Sequence, residues 1–181
     1  NLGRGRELTR QAVERGAEII SFHECCVPGY SWVQPLSKDE LLRVAEPVPD
    51  GESVRSLIEI AREFSVVVMA GLWERDADGR VYNTYVTVSS DGVLAKFRKL
   101  HPFVSPHLSP GNEYVVIDLL GCKVGFLICY DNNLPENVRV TSMLGAEIIF
   151  MPHVTGCLPS PMPGRGSVDR AVWENRRRDP V

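Results

Sequence analysis

The sequence predicts an α/β fold whose sheets mix parallel and antiparallel strands. Stretches with the periodicity of amphipathic helices alternate with short apolar stretches that are typical of buried strands. Two pairs of these strands are separated only by short turns, at residues 90–92 and 120–121, which favours antiparallel hairpins. The continuous apolar run at 66–72 is typical of a strand covered on both faces. We therefore expect helices packed on sheets that are not purely parallel.

Start and stop signals define the predicted helices. Gly16 ends the first helix. Ser37 and Glu40 form a capping box at the start of the second, and Pro135 suits the first turn of the fourth. The predicted helices cover residues 1–15, 38–45, 52–64, 134–144 and 167–177.

The predicted strands are short and fall between these helices. They cover residues 17–22, 66–72, 82–88, 93–99, 114–119, 122–128 and 147–151. Alternation of apolar and polar residues predicts that 82–88 is half-buried, whereas the apolar 147–151 should be a buried strand. No repeat or low-complexity linker divides the chain, so residues 1–181 are expected to form a single domain.

Composition and charge exclude several classes of partner. The chain has 181 residues, 44% of them hydrophobic and 24% charged, as in ordinary globular domains. Its formal net charge of −3 gives no reason to expect nucleic acid or an acidic membrane as a partner. No apolar run approaches the roughly 20 residues of a membrane-spanning helix, and the sequence shows no secretory signal.

The cysteines and histidines favour neither disulfides nor a metal site. The five cysteines are odd in number and show no repeated spacing, which favours a reducing compartment and predicts a cytoplasmic protein. The four histidines are scattered without a metal-binding pair, so no metal or cofactor is expected. The cysteines are Cys25, Cys26, Cys122, Cys129 and Cys157.

The segment that leads to Cys129 carries the clearest chemical signal. This cysteine follows the apolar run 124–128 and precedes a polar turn that should open a helix. The positive end of a helix dipole favours a thiolate, which is the nucleophilic form of cysteine. A buried structural cysteine is the alternative, and this segment alone does not separate the two.

Two further reactive side chains lie at the ends of predicted strands. Glu24 follows the first strand, and Lys99 ends the strand after the 90–92 turn. Because sites in open α/β sheets lie at the carboxyl ends of strands, we expect these side chains and the thiol at one sheet edge. Glu24 could take the proton of the thiol. Lys99 and the backbone N–H of Tyr130 could stabilise the charge that develops when a carbonyl or nitrile carbon is attacked.

Three segments, in the order Glu, Lys, Cys, resemble the motifs of the nitrilase superfamily, the carbon–nitrogen hydrolases. FHECCVPGY is similar to the family's first glutamate motif and contains Glu24 and Tyr30. KFRKLH is similar to the lysine motif and contains Lys99, and VGFLICYDNNLPE is similar to the cysteine motif and contains Cys129. A Tyr-Asn pair and GAEIIFMP also match, so the resemblance covers residues 1–153.

The resemblance implies both a fold and a mechanism. The fold is a four-layer α-β-β-α sandwich that forms homo-oligomers by packing two sandwiches together. The mechanism is that of a thiol hydrolase in which Cys129 attacks, Glu24 is general base and later acid, and Lys99 stabilises the tetrahedral intermediate. Because family members are longer, we expect the domain over residues 1–181 to be incomplete at both termini, without its first strand and its C-terminal part.

Departures from the family pattern concern the substrate. The loop from Lys99 to Gly111 lacks the second glutamate that many members carry, and His107 could substitute for it. Tyr130 followed by an aspartate is typical of amidases, whereas Asn132 is typical of nitrilases. The predicted substrate-binding residues are Tyr30, His107, Tyr130, Asn132 and His153.

The expected function is hydrolysis of a small amide or N-carbamoyl compound through a cysteine acyl-enzyme, with release of ammonia or an amine. One alternative is a nitrilase that converts a nitrile to an acid and ammonia. Another is a non-catalytic family member that serves as an assembly or binding module. For His153 a purely structural role is the alternative to substrate binding.

Overall fold

The computed structural model describes residues 1–154 of the chain. The helix predicted at 167–177 and Cys157 lie outside these residues. The helices are α1 (Leu2–Val13), α2 (Lys38–Val44), α3 (Glu52–Phe64) and α4 (Pro135–Met143), with 3-10 helices at Ser31–Val33 and Cys129–Asn133. The strands are β1 (Ile19–Ser21), β2 (Val67–Arg75), β3 (Val81–Ser89), β4 (Gly92–Arg98), β5 (Val116–Leu119), β6 (Cys122–Phe126) and β7 (Ile148–Phe150).

The strands form two separate mixed sheets. The first sheet has the order β1-β2-β3-β4, in which β1 is parallel to β2 and the remaining neighbours are antiparallel. The second sheet has the order β5-β6-β7, with an antiparallel hairpin and a parallel edge strand. The prediction of mixed sheets with two hairpin-connected strand pairs is therefore confirmed.

The two sheets pack face to face between layers of helices. On β2, Val68 and Ala70 face the cluster formed with α1 and α3, whereas Met69 joins Phe126 of the second sheet. The opposite face of the second sheet carries α4, which approaches β6 so closely that a Cβ on Gly125 would lie 2.3 Å from a Thr141 methyl carbon. The described residues therefore show the α-β-β-α order of layers that the family resemblance implied.

Two predictions of strand burial were wrong. Strand β3 is buried along nearly its whole length, because its polar side chains Asn83 and Thr84 are hydrogen-bonded to the buried carboxylates Glu24 and Glu74. Strand β7 is only partly buried, and Ile148 is 50% exposed, because β7 forms an edge of the second sheet within residues 1–154. Alternation of residue type cannot detect a polar side chain whose partner is a distant buried charge.

None of the helices in residues 1–154 is long and apolar enough to span a membrane.

Candidate active site

Glu24 reaches the site through a loop that crosses over β2. The N–H of Phe22 donates to Met69 O at 2.9 Å, and the N–H of Val27 donates to Gly71 O at 3.2 Å. A Cβ at Gly71 would lie 2.1 Å from the Cys25 nitrogen, so only glycine admits this crossing. Glu24 thus lies in a turn beyond the end of β1, and not at the strand end as predicted.

The carboxylate of Glu24 is buried and fully engaged. Its Oε1 accepts hydrogen bonds from Lys99 Nζ at 2.6 Å and from Asn83 Nδ2 at 2.7 Å. Its Oε2 accepts from the backbone N–H of Val154 at 3.2 Å. Both side chains of the Glu24–Lys99 ion pair are 0% exposed. A buried ion pair is tolerated only when its remaining hydrogen-bonding capacity is met, and these contacts provide that.

Lys99 lies directly after β4 on the inner face of the first sheet. It is buried like Phe97, whereas Lys96 and Arg98 on the opposite face bind Glu74, so the predicted alternation of faces is confirmed. The N–H of Lys99 donates to Asn83 O at 2.8 Å, which fixes the residue to the start of β3.

Cys129 begins the 3-10 helix that follows β6 and therefore belongs to the second sheet. The expectation that all three reactive side chains share one sheet edge is wrong, because two sheets stacked face to face bring their ends together instead. Cys129 has a positive φ of 51°, which is rare for a residue with a side chain and marks a strained turn. Its N–H donates to Pro152 O at 3.0 Å, and its side chain remains slightly exposed.

The pKa of the Cys129 thiol lies above its ordinary value. Burial raises its pKa, the negative charge of Glu24 raises it further, and the ammonium of Lys99 lowers it. The expected stabilisation of a thiolate by a helix N-terminus is wrong, because α4 begins only at Pro135, beyond a short 3-10 helix. A thiol with a raised pKa needs a nearby base to take its proton before it can attack, and the Glu24 carboxylate lies beside it.

Aromatic rings surround the ammonium of Lys99. Its Nζ lies 5.0 Å from the ring centroid of Phe103 and 5.8 Å from that of Tyr30, whose phenol pKa is raised mainly by burial. The Tyr130 ring contacts Phe103 edge-on, with centroids 5.9 Å apart, and is 43% exposed. The predicted residues Tyr30 and Tyr130 are thus placed beside the Glu24–Lys99–Cys129 triad.

Asn132 and His153 are also near the triad, but their polar groups bind each other. Asn132 Nδ2 lies 2.8 Å from His153 Nε2 and donates to Cys129 O at 3.0 Å. His153 Nε2 is therefore the acceptor, and Nδ1 carries the hydrogen. Among the described residues, His153 Nδ1 is buried without a hydrogen-bond partner. The two residues support the cysteine turn, and their predicted contact with substrate stays a prediction.

The structure does not bring His107 into the hydrogen-bond network of the triad. His107 is exposed, and its backbone N–H donates to Ser105 Oγ at 3.3 Å. Within residues 1–154, no hydrogen bond or ion pair connects its ring to Glu24, Lys99 or Cys129. Its expected role as a substitute for a second glutamate stays a prediction.

Three residues near the triad were not among the predicted site residues. Asn83 holds Glu24, Asp131 joins the segments around Lys99 and Cys129, and Phe103 covers the ammonium. For Asn83 the available signal was the Tyr-Asn pair that matches the family pattern. For Asp131 it was an acidic residue two positions after the cysteine. Within the described chain, no cluster of three or more His, Cys, Asp or Glu side chains could hold a metal ion.

Together, the fold and the site define an α-β-β-α sandwich protein with a buried Glu–Lys pair beside a cysteine. The family model for carbon–nitrogen hydrolases matches residues 1–179, and the chain belongs to this family.

The names of two similar proteins state two different activities. A nitrilase of Pyrococcus abyssi is 32% identical over an alignment 155 residues long, and the match covers 84% of this chain and 58% of that protein. An omega-amidase of Homo sapiens is 32% identical over an alignment 164 residues long, and the match covers 84% of this chain and 57% of that protein. The chain thus spans less than two thirds of the length of these relatives.

Solved structures of similar proteins confirm the nitrilase-like fold. Nit3 of Saccharomyces cerevisiae, a member of the nitrilase superfamily, has a TM-score of 0.74 at 27% identity and covers 87% of this chain, with 59% of its own chain matched. A carbon–nitrogen hydrolase of Helicobacter pylori has a TM-score of 0.79 at 22% identity, over 98% of this chain and 60% of its own.

Proposed function

We propose that the protein is a thiol hydrolase that cleaves a C–N bond of a small amide or N-carbamoyl compound. The observation that carries this proposal is a buried carboxylate, Glu24, that contacts the ammonium of Lys99 and raises the pKa of the Cys129 thiol. Such a carboxylate can accept the thiol proton as the sulfur attacks, and return it to the leaving nitrogen.

The reaction follows from the positions of these groups. The thiol of Cys129 gives its proton to Glu24, and its sulfur forms a bond to the carbonyl carbon. The oxyanion of the tetrahedral intermediate is stabilised by Lys99 and by the backbone N–H of Tyr130. The C–N bond then breaks, and the departing ammonia or amine takes the proton from Glu24. Water, deprotonated by Glu24, hydrolyses the thioester and restores the thiol.

The test uses Cys129→Ala and Glu24→Gln in the full-length protein with a panel of small amides and N-carbamoyl compounds. Both variants should lose turnover by several orders of magnitude, and wild-type protein quenched with acid during turnover should carry an acyl group on Cys129 by mass spectrometry. Full turnover by Cys129→Ala would contradict the mechanism. A folded wild type that turns over nothing in the panel would favour the alternative of a non-catalytic binding or assembly module.

A nitrilase is the second candidate, and the relationship to the Pyrococcus abyssi protein supports it. The same thiol would attack a nitrile carbon and form a thioimidate, which water converts to acid and ammonia. Aliphatic and aromatic nitriles, each assayed beside the corresponding amide, distinguish the two functions. Faster turnover of the nitriles, with the acid as product, would replace the amidase proposal.

We further propose a cytoplasmic homo-oligomer. The family resemblance supports an oligomer, as do the exposed apolar side chains at the end of α4 and on and just after β7, namely Met143, Leu144, Ile148 and Met151. The free thiols of Cys25, Cys26, Cys122 and Cys129 support a reducing compartment. Light scattering of the full-length protein and fractionation of the source cells test these two points.

A further inference from the structure

Asp131 is a second buried carboxylate close to the triad, and it binds four N–H groups. Its side chain is 0% exposed. Oδ1 accepts from the backbone N–H of His101 at 2.9 Å and from the ring Nδ1 of the same residue at 3.1 Å. Oδ2 accepts from the backbone N–H of Leu100 at 3.1 Å and from that of Ile128 at 3.3 Å. Each of the two carboxylate oxygens therefore accepts two hydrogen bonds.

These donors come from the two segments that carry the reacting groups. Leu100 and His101 directly follow Lys99 at the end of the first sheet, and Ile128 directly precedes Cys129 in the second sheet. Glu24 joins the reacting groups at the tips of their side chains. Asp131 joins the backbone segments that carry the ammonium and the thiol.

Asp131 is itself held in place by its own turn and by α4. Its N–H donates to Ile128 O at 3.0 Å, and Asn137 Nδ2 donates to the Asp131 carbonyl at 2.8 Å. The hydroxyl of Tyr114 in turn donates to Asn137 Oδ1 at 2.7 Å. Because both the main chain and the side chain of Asp131 are held by hydrogen bonds, its carboxylate can hold the groups that it binds in fixed positions.

We propose that Asp131 is a positioning residue that sets the distance between Lys99 and Cys129 across the two sheets. The proposal rests on the proposed function, in which that distance decides how well the lysine stabilises charge next to the thiol. Asp131 touches no reacting atom. Its two acceptor oxygens are essential to the role, because an amide offers one oxygen to the four donors and turns its own N–H₂ group toward the others.

The first test compares Asp131→Asn with Glu74→Gln. Glu74 is a matched control because it is also a buried carboxylate that accepts several hydrogen bonds, but from Thr84, Lys96 and Arg98 on the outer face of the first sheet. Displacement of a reacting group by about 1 Å costs on the order of 100-fold in rate. We expect a fall in kcat of that order for Asp131→Asn with little change in KM, whereas Glu74→Gln should lower Tm without lowering kcat.

The second test measures alkylation of Cys129 by iodoacetamide at neutral pH, followed by peptide mapping, and so does not depend on substrate turnover. Lys99 lowers the pKa of the thiol, so its displacement in Asp131→Asn should slow alkylation. Simple loss of a nearby negative charge would speed alkylation instead. In a Lys99→Met background, Asp131→Asn should have no further effect.

Three outcomes would overturn the proposal. These are an unchanged kcat in folded Asp131→Asn, faster alkylation in that variant, or a slowing of alkylation by Asp131→Asn that is equal with and without Lys99.

If Asp131→Asn does not fold, His101→Phe takes its place. This variant removes one of the four hydrogen bonds and should slow alkylation by a smaller factor; an unchanged rate would overturn the proposal. If Lys99→Met does not fold, the proposal is tested by Asp131→Asn alone. A lower kcat with slower alkylation supports it, and an unchanged kcat or faster alkylation overturns it. Altered alkylation in a protein that hydrolyses no amide would support the positioning role while contradicting the proposed function.

Discussion

Asn83 and Glu24 are 59 residues apart in the sequence, yet Asn83 Nδ2 donates to Glu24 Oε1 at 2.7 Å. The same oxygen accepts from Lys99 Nζ at 2.6 Å. Two donors on one oxygen fix the rotation of the carboxylate, while the other oxygen is held by Val154 N–H. The Glu24 carboxylate is therefore oriented by an amide on β3.

Replacing Asn83 should weaken the fold and also release Glu24 from its fixed orientation. Asn83→Ala removes one donor from a buried carboxylate, which costs roughly 1–3 kcal/mol of stability. It also frees Glu24 to rotate, so kcat should fall by about 10-fold or more, which is about 1.4 kcal/mol in the activation barrier. Urea denaturation and steady-state kinetics measure the two effects.

Thr84→Val is the control for Asn83→Ala. Thr84 is the neighbour of Asn83 on β3 and donates to the other buried carboxylate, Glu74, at 2.7 Å. It should lose a comparable amount of stability with an unchanged kcat. Equal losses of kcat in the two variants would show that Asn83 acts only through the stability of β3.

Neutralising Glu24 should make the thiol more reactive while it stops the hydrolysis. Glu24 raises the pKa of the Cys129 thiol, and Lys99 lowers it. In Glu24→Gln the midpoint of the pH profile for alkylation should therefore move to lower pH, and alkylation at neutral pH should become faster. The profile is measured with iodoacetamide and mass spectrometry of the Cys129 peptide. A midpoint that moves to higher pH would mean that the lysine no longer faces the thiol without its partner.

Gly71 should not tolerate alanine. The added Cβ would lie 2.1 Å from the Cys25 nitrogen, so the loop that carries Glu24 must move away from β2. We expect Gly71→Ala to lose most activity and to unfold at a clearly lower temperature. Gly3→Ala is the control, because a Cβ there meets nothing within 4 Å in α1. Alanine should stabilise that helix by up to about 1 kcal/mol. Wild-type activity in Gly71→Ala would contradict the crossing geometry.

Stability should fall in alkaline solution because of Cys26. Burial raises the pKa of this thiol to about 11 from its ordinary 9.0. Between these pH values the unfolded chain releases a proton that the folded chain retains, so unfolding becomes easier as pH rises. The slope due to this group approaches about 1.4 kcal/mol per pH unit. Urea denaturation from pH 7.5 to 10.5 should show a shallower fall for Cys26→Ser than for wild type, and parallel curves would contradict the assignment.

Those parts of the fold and of the site that could be predicted from the sequence are marked by residues close together in the chain. The Ser37 capping box, the alternation that places Lys99 with Phe97, and the motif around Cys129 each lie within a few residues. The division into two sheets was not predictable in this way. Strands that end in reactive residues look alike whether their ends lie on one sheet or on two sheets packed together.

The hydrogen bonds of Asp131 show the same limit of prediction from the sequence. Its four donors lie at positions 3 and about 30 residues away, and only the folded chain brings them to one carboxylate. Likewise, β3 was predicted half-buried because the partners of Asn83 and Thr84 lie on other elements. Hydrogen bonds between distant segments, unlike helix caps, leave no regular spacing in the sequence.

Packing of the two sheets brings the Lys99 ammonium next to Cys129, and this gives the site a use as a folding reporter. A chain that has formed its helices and hairpins but has not yet packed the sheets together holds Cys129 without the burial and the Glu24 carboxylate that raise the thiol pKa in the native site. During refolding, the slower alkylation expected of the native thiol should therefore appear only after the far-ultraviolet signal of secondary structure. Each sheet holds only some of the groups that set the pKa of the Cys129 thiol. The alkylation rate of this thiol therefore reports when the two sheets pack together.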